Sequence, residues 1–255
     1  FYVRLVQSPR LTREATARMR LFISGSAPLL AETHRQFEAM TGQAILERYG
    51  MTETNMNTSN PYDGARIPGA VGMALPEISI RICDRETGAQ LPAGEVGLIE
   101  VKGPNVFEGY WNMPEETAKT IRNGWFYTGD AGYTDKAGYV YIHDRVKDMI
   151  VSGGENVYPA EVENVLMSHP GIADVAVIGI PHEKWGETAL AIVVRAPDTE
   201  ATEEEIIAFS HERLAKFKCP TQVAWIDALP RNPSGKVLKK DLREPYWAGR
   251  ERRVN

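Results

Sequence analysis

Three stretches of this chain carry side chains that could work on a phosphorylated, polyhydroxylated ligand. Asp130 closes Tyr127-Thr128-Gly129-Asp130, where the glycine lets the backbone pass close to a bound group. Its carboxylate can accept hydrogen bonds from two ribose hydroxyls, and Arg145, fifteen residues on, can offer its planar fork to a phosphate. The second stretch is Glu47-Arg48-Tyr49-Gly50-Met51-Thr52-Glu53. There Tyr49 offers a flat face for a purine, and Gly50 keeps the backbone close. Thr52 can donate to a phosphate oxygen, and Glu53 is a hard oxygen ligand suited to Mg²⁺. The third is Pro230-Arg231-Asn232-Pro233-Ser234-Gly235-Lys236-Val237. Its proline and glycine residues set a tight exposed loop that presents one ammonium, that of Lys236, which can neutralise a carboxylate and a phosphate together as charge is redistributed. Each residue alone has an ordinary reading: Tyr49 as a core aromatic, Glu53 as a solvated carboxylate, Lys236 as a solvated loop lysine.

The elements that must position them follow from periodicity. Residues 20–23 read as a buried strand ending at Ser24-Gly25-Ser26-Ala27-Pro28, residues 29–40 as a helix closed by Gly42, and residues 44–46 as the next strand. Small-residue loops at strand ends of an open α/β sheet are where ligands bind. Residues 55–68, rich in Asn, Ser, Pro, Asp and Gly, read as loop. Ile78, Ile80 and Ile82 alternate with polar residues and pair with 97–101 in a small antiparallel sheet. Tyr127 to Asp130 reads as a turn, and Gly153-Gly154 as a tight turn closing a hairpin. From there the pattern is α+β. A helix starts at Pro159, strands run over 174–180, 188–194 and 222–226, and Thr202 with Glu205 signals a capping box.

Composition excludes several classes. The chain has 255 residues, enough for two modest domains, and a net charge of -5, so no general basic field attracts nucleic acid. No apolar run approaches the roughly 20 residues of a membrane-spanning helix. Two distant cysteines, Cys83 and Cys219, point to a reducing compartment, cytoplasmic or, had a targeting segment been lost, an organelle matrix. The five histidines show no metal spacing. Gly25-Ser26 lacks the G-x-S-x-G frame of a hydrolase nucleophile.

Taken together, GSAP (25–28), YGMTE (49–53), YTGD (127–130), the arginine after the strand and PSGK (233–236) resemble the adenylate-forming enzymes, in the same order. The opening FYVRLVQSP, RLFISGSAPLL and ERYGMTETNMNTSNPYDGARIPGAVG look most like the malonyl-CoA synthetases of that family. The resemblance implies the end of a large layered α/β adenylation domain with a small antiparallel sheet (1–146), then a small mobile α+β domain (147–255) hinged near Lys147. It implies ATP-dependent ligation of a small carboxylic acid to CoA through an acyl-AMP, with ATP, Mg²⁺ and CoA as the required small molecules and malonate as the acid. Gly25, Ser26, Ala27, Arg48, Tyr49, Gly50, Asp130 and Arg145 then belong to the nucleotide site, and Lys236, Thr52 and Glu53 to catalysis, Glu53 through the metal. Arg4 meets the second carboxylate of a dicarboxylate, for which a bidentate cation is suited, and Met51 crowds the short acyl pocket. Gly153, Gly154, Trp185 and Lys218 are assigned to the CoA step.

Two departures bear on activity. The family's glycine-rich phosphate loop is absent, and no G-x-x-x-x-G-K-[ST] string replaces it. The chain begins without Met and reads as the carboxyl-terminal half of a longer enzyme, so the isolated polypeptide is expected to turn over little. The family's glycine before the motif arginine is Asp144 here, expected either to tune the hinge or to pair with Lys147. Alternatives are a short-chain or methylmalonyl ligase, a carrier-protein-loading adenylation domain, or an inactive fragment.

Overall fold

A computed structural model describes residues 1–25, 29–233 and 235–249. The chain forms two compact units, Phe1–Ile142 and His143–Asn255.

The first unit opens with two short helices, α1 (Tyr2–Val6) and α2 (Arg13–Thr16), before strand β1 (Ile23–Ser24). Helix α3 (Ala31–Thr41) follows because Thr33, His34, Phe37 and Thr41 share a buried face, and it ends at Gly42 in the left-handed conformation. This crossover returns the chain to β2 (Leu46–Met51), which lies parallel to β1. β2 turns back at once into antiparallel β3 (Asn55–Ser59), and β4 (Met73–Ala74) completes the sheet in the order β1-β2-β3-β4.

The polar string expected as loop from residue 55 is therefore strand at its start. Tertiary partners hold part of it: the Thr58 hydroxyl donates to the Val71 carbonyl (2.6 Å), and the Asn105 amide donates to Asn57 Oδ1 (3.0 Å), while the buried Asn57 Nδ2 meets no partner among the described residues.

A second sheet holds β5 (Ser79–Cys83) and β6 (Gly97–Lys102). After helix α4 (Pro114–Thr120) come β7 (Ile121–Arg122), β8 (Trp125–Thr134) and β9 (Val140–Arg145), giving the order β5-β6-β8-β7 with β9 also on β8. The turn expected at Tyr127–Asp130 is a bulge inside β8. Leu98 pairs with Ala131 and Glu100 with Tyr127, so three residues of β8 stand against Ile99. The Thr128 hydroxyl donates to the Ile99 carbonyl (2.8 Å), and Gly129 takes φ +74°.

In the second unit a 3-10 turn (Val146–Asp148) leads to the hairpin β10 (Ile150–Ser152) and β11 (Glu155–Val157). Then come α5 (Pro159–Leu166), the long antiparallel pair β12 (Ile172–His182) and β13 (Gly186–Arg195), α6 (Glu203–His211), β14 (Gln222–Trp225) and α7 (Lys239–Trp247). The expected capping box is formed: Glu205 N–H donates to Thr202 Oγ1, and Thr202 N–H to Glu205 Oε2. β13 is the centre of this sheet, bonded to β10, β12 and β14.

Alternation sends Val175, Val177, Ala189, Ala191 and Val193 to one face, packed with Val162, Leu166 and Ile206. Ala176, Ile178, Ile180, Leu190 and Ile192 go to the other, packed with Leu229 and Leu242. Both faces are covered, which is why these strands read as nearly continuous apolar runs.

Candidate functional site

In the first unit the parallel pair β1 and β2 delivers its carboxyl ends to one place. Ser24 is in register with Glu47, so Gly25 follows beside Arg48, whose Cγ would lie 3.3 Å from a Cβ at that glycine. Ser26 and Ala27 lie outside the described residues. Beyond Arg48, β2 carries Tyr49, Gly50 and Met51 into a tight hairpin turn over Thr52-Glu53-Thr54, not into a helix start. Gly50 has a steric reason: a Cβ there would overlap the Asn55 carbonyl, so only glycine lets the two strands approach at this irregular register.

The bulge in β8 meets this hairpin. The Tyr49 hydroxyl donates to Asp130 Oδ2 at 2.6 Å, joining two candidates 81 residues apart. Asp130 is 5% exposed, and its own N–H donates to Thr128 Oγ1 (3.1 Å). The ring face of Tyr49, expected to lie open to a purine, is buried in the cluster of Ile82, Ile99, Val101 and Val140. What Tyr49 brings to Asp130 is its hydroxyl.

Glu53 is held from the opposite side. Tyr110 donates its hydroxyl to Glu53 Oε1 (3.0 Å), and Phe107 N–H donates to the Glu53 carbonyl (2.8 Å). Burial, then the hydrogen bond and negative charge of Glu53, push the Tyr110 phenol above its ordinary value, so it remains a donor at neutral pH. Asn105 donates to the Thr54 carbonyl (2.6 Å) from the same strap. Sequence reasoning gave Tyr110 and Asn105 no role at the site, because their partners lie 57 and 51 residues away.

Behind the hairpin, His34 Nδ1 meets Glu47 Oε1 (2.9 Å), while Ile45 N–H donates to His34 Nε2 (3.2 Å). That backbone donor places the imidazole proton on Nδ1. His34 and Glu47 are buried and hold α3 to β2. Thr52 is exposed at the hairpin tip, and Met51 is half-buried. Arg4 stands exposed on five-residue α1, which Tyr2 ties down through its hydroxyl to the Ile23 carbonyl (2.8 Å).

The second unit carries its candidates at two ends of one strand. At the start of β12, Asp174 accepts from Arg231 (2.6 Å), and Arg231 also donates to the Gly235 carbonyl (2.8 Å). The Lys236 loop is closed on itself. Asn232 N–H donates to the Lys236 carbonyl (2.9 Å), Lys236 N–H to Asn232 Oδ1 (2.8 Å), and Gly235 takes φ +86°. At the other end, Gly153 and Gly154 form the β10–β11 turn with φ +62° and +92°. Gly153 N–H donates to the Trp185 carbonyl (2.9 Å), so these candidates for the CoA step share one place. Trp185 is 40% exposed and stacks on His182 (4.3 Å). Asp174 and His182 lie about eight residues apart on β12, roughly 26 Å at about 3.3 Å per residue. Lys218 donates to both oxygens of Glu161 (2.7 and 2.8 Å).

Arg145 and Lys147 flank Val146 at the start of the 3-10 turn. Asp144, expected to tune the hinge or to pair with Lys147, is held by contacts within the second unit. Its carboxylate accepts Ala160 N–H (3.1 Å) at the start of α5 and lies 3.4 Å from the Lys239 ammonium. Among the described residues, no group of three or more His, Cys, Asp or Glu side chains could hold a metal ion. No helix among them is long and apolar enough to cross a membrane.

Known proteins agree with this architecture. The family model for AMP-binding enzymes matches residues 1–111, and that for the AMP-binding enzyme C-terminal domain matches residues 161–236. The chain is 40% identical to the fatty acid–[acyl-carrier-protein] ligase ScoC of Streptomyces coeruleorubidus over 93% of its own length and 46% of the relative's. It is 41% identical to a long-chain-fatty-acid–CoA ligase of Bacillus subtilis, over 95% and 44%. Among solved structures, ATP-bound MatB from Rhodopseudomonas palustris superposes with a TM-score of 0.93 at 58% identity, covering 96% of this chain and 49% of that one. The amide bond synthetase McbA from Marinactinospora thermotolerans superposes at 0.88 with 32% identity. The chain thus spans about half the length of the relatives it matches. With both family models matched in order and the two units folded as theirs are, the chain belongs to the AMP-binding, adenylate-forming enzymes, of which it represents the carboxyl-terminal part with its small domain.

Proposed function

We propose that the protein joins a small carboxylic acid to CoA in two steps, through an acyl adenylate, and that the acid is malonate. The observation that carries this reading is the bond from Tyr49 to buried Asp130, which sets a carboxylate beside the hairpin bearing Thr52 and Glu53. Asp130 accepts from the ribose hydroxyls and Arg145 donates to ribose and phosphate. Gly25 and Arg48 border the adenine and Thr52 donates to a phosphate oxygen. Glu53 suits Mg²⁺, which usually takes one or two protein carboxylates and fills its shell with water and substrate phosphates. Tyr110 occupies one Glu53 oxygen and thereby orients the other. The ion, when bound, neutralises phosphate charge.

In the first step the acid carboxylate attacks the α-phosphorus, and pyrophosphate leaves. Lys236 stabilises the charge that develops there. In the second step the CoA thiol attacks the mixed anhydride, and AMP leaves, with Gly153, Gly154 and Trp185 lining the thiol's approach. The two sets of residues stand at opposite ends of β12, so one placement of the small domain serves one step. A turn about Lys147 exchanges them. Lys218 contributes to CoA phosphate binding only by giving up Glu161.

Malonate rests on Arg4 and on the likeness to malonyl-CoA synthetases. Its exposed guanidinium suits a second carboxylate. The test, made in the full-length protein because the isolated polypeptide is expected to turn over little, is pyrophosphate release and thioester formation with malonate, ATP, Mg²⁺ and CoA. Lys236→Ala is expected to slow adenylation by about 10² to 10³-fold, the range for removing one charge-stabilising donor. Arg4→Ala is expected to harm malonate far more than acetate; equal loss with both acids removes malonate from the reading. A carrier-protein thiol is the second acceptor to assay, because a relative at 40% identity is a carrier-protein ligase.

A further inference from the structure

The reading above leaves Lys239 without a task, yet with Arg243 it is one of the two well-enclosed cations of α7. It is the first residue of α7, and its side chain is 15% exposed. Its ammonium lies 2.8 Å from Glu163 Oε1 on α5 and 3.4 Å from Asp144 Oδ2 in the joint segment. Both carboxylates are anchored by the backbone. Val177 N–H of β12 donates to Glu163 Oε1 (2.7 Å), Ala160 N–H to Asp144 Oδ2 (3.1 Å), and Arg145 N–H to Asp144 Oδ1 (2.7 Å). One turn along α7, Arg243 pairs with Asp148 (3.0 Å), again well covered at 14% and 13% exposure. Helix α7 therefore grips the joint segment on both sides of Lys147, through residues spaced i and i+4 on one face.

A buried ammonium shared by two carboxylates is an expensive arrangement for stability alone. A neutral, well-packed replacement of similar volume is often no less stable. Burial lowers the Lys239 pKa, but Glu163 and Asp144 outweigh it and hold the group charged well above the ordinary lysine value. Burial, helped by Asp144 and opposed by Lys239, lifts Glu163. Three residues before this cluster stands Lys236. Leu238 N–H donates to the Pro230 carbonyl (2.9 Å), and Val237 bridges to Arg231, so the loop base and the start of α7 are one fastened piece.

We propose that Lys239 is a positioning residue for Lys236: clasped by Glu163 and Asp144, it fixes the base of the Lys236 loop and ties its placement to the joint segment. Asp144, where the family resemblance expects glycine, is the member of the clasp that belongs to the joint. The inference rests on the role given to Lys236, and its test separates the two.

Four variants are made in the full-length protein: Lys239→Met, Lys239→Arg, Lys236→Ala, and the double change Glu163→Gln with Lys239→Met, which removes the closer charge pair and leaves Asp144 to its two backbone donors should the single variant not fold. Adenylation is followed by pyrophosphate release, and the thioester step by CoA consumption from preformed acyl adenylate. Midpoint temperatures are measured alongside. Lys239→Met is expected to slow adenylation by on the order of 10²-fold, the effect of a displacement of about 1 Å at a reacting group. It leaves the thioester step within a few fold, and Lys239→Arg, whose fork reaches two carboxylates, restores most of the loss. The double variant shows the same selective loss at near-parental midpoint temperature. Equal loss of both steps in the double variant, or full adenylation in Lys239→Met, overturns the proposal while Lys236→Ala remains impaired. Full adenylation in Lys236→Ala overturns the role of Lys236, and the proposal with it.

Discussion

At the scale of single residues, the contact between Tyr49 and Asp130 makes a sharp prediction. Tyr49→Phe keeps the ring in its cluster and takes away one donor from a carboxylate that is 5% exposed. A buried acceptor deprived of a partner costs about 1–3 kcal/mol. Urea denaturation of the variant is expected to show a loss of that size, with weaker ATP binding; an unchanged midpoint assigns the bond no energetic role. A second residue gives a pH dependence. Burial holds the His143 imidazole below its ordinary value of 6.5, opposed by the charge of Glu161. Between the folded value and 6.5 the unfolded chain binds more protons, so stability rises with pH in that window. This contribution is complete above about pH 6.5 and is lost as pH falls through the folded value. His143→Phe is expected to flatten the acid side of the stability profile of the second unit. A parallel profile assigns the acid sensitivity to other groups.

At the scale of elements, Gly50 and Gly88 form a controlled pair. A Cβ at Gly50 overlaps the Asn55 carbonyl, whereas Gly88 has a positive φ with nothing within 4 Å of a built Cβ. Gly88→Ala is expected to cost about 1–2 kcal/mol of backbone strain alone. Gly50→Ala must open the hairpin carrying Thr52 and Glu53, so it loses more stability and also weakens nucleotide binding. Comparing midpoint and ATP affinity for the pair checks this.

The same elements show what a sequence reader can and cannot see. The α3 helix with its Gly42 stop, the Thr202 capping box and the Gly153-Gly154 turn rest on neighbours within a few residues, and they were legible. Strand β3 was not, because Asn57 and Thr58 look like loop until Asn105 and Val71 supply their partners. The bulge at Thr128–Asp130 read as a turn, since a positive-φ glycine serves both. Motif order singled out Asp130, Glu53 and Lys236, but Tyr110 and Lys239 contact residues 57 and 76–95 positions away, beyond any local period.

At the scale of the molecule, each unit has its own buried clusters, and a core change in one is expected to leave the other's transition in place. Leu166→Ala, at a fully buried position of the second unit, is expected to cost about 2–5 kcal/mol and to shift only that unit's melting. Calorimetry resolves this, and a uniform shift of all the heat absorption means the units melt together.

The sheet of the second unit has a further consequence. Every one of its pairings except β10 with β11 runs through β13, and β14 joins last in chain order, alongside a partner about thirty residues behind it. In deuterated water the amides of β13 facing β12 should be the last to lose their protons. β14 should peel away first, leaving the hydrogen-bond edge beneath it open to solvent in brief excursions that never disturb the rest.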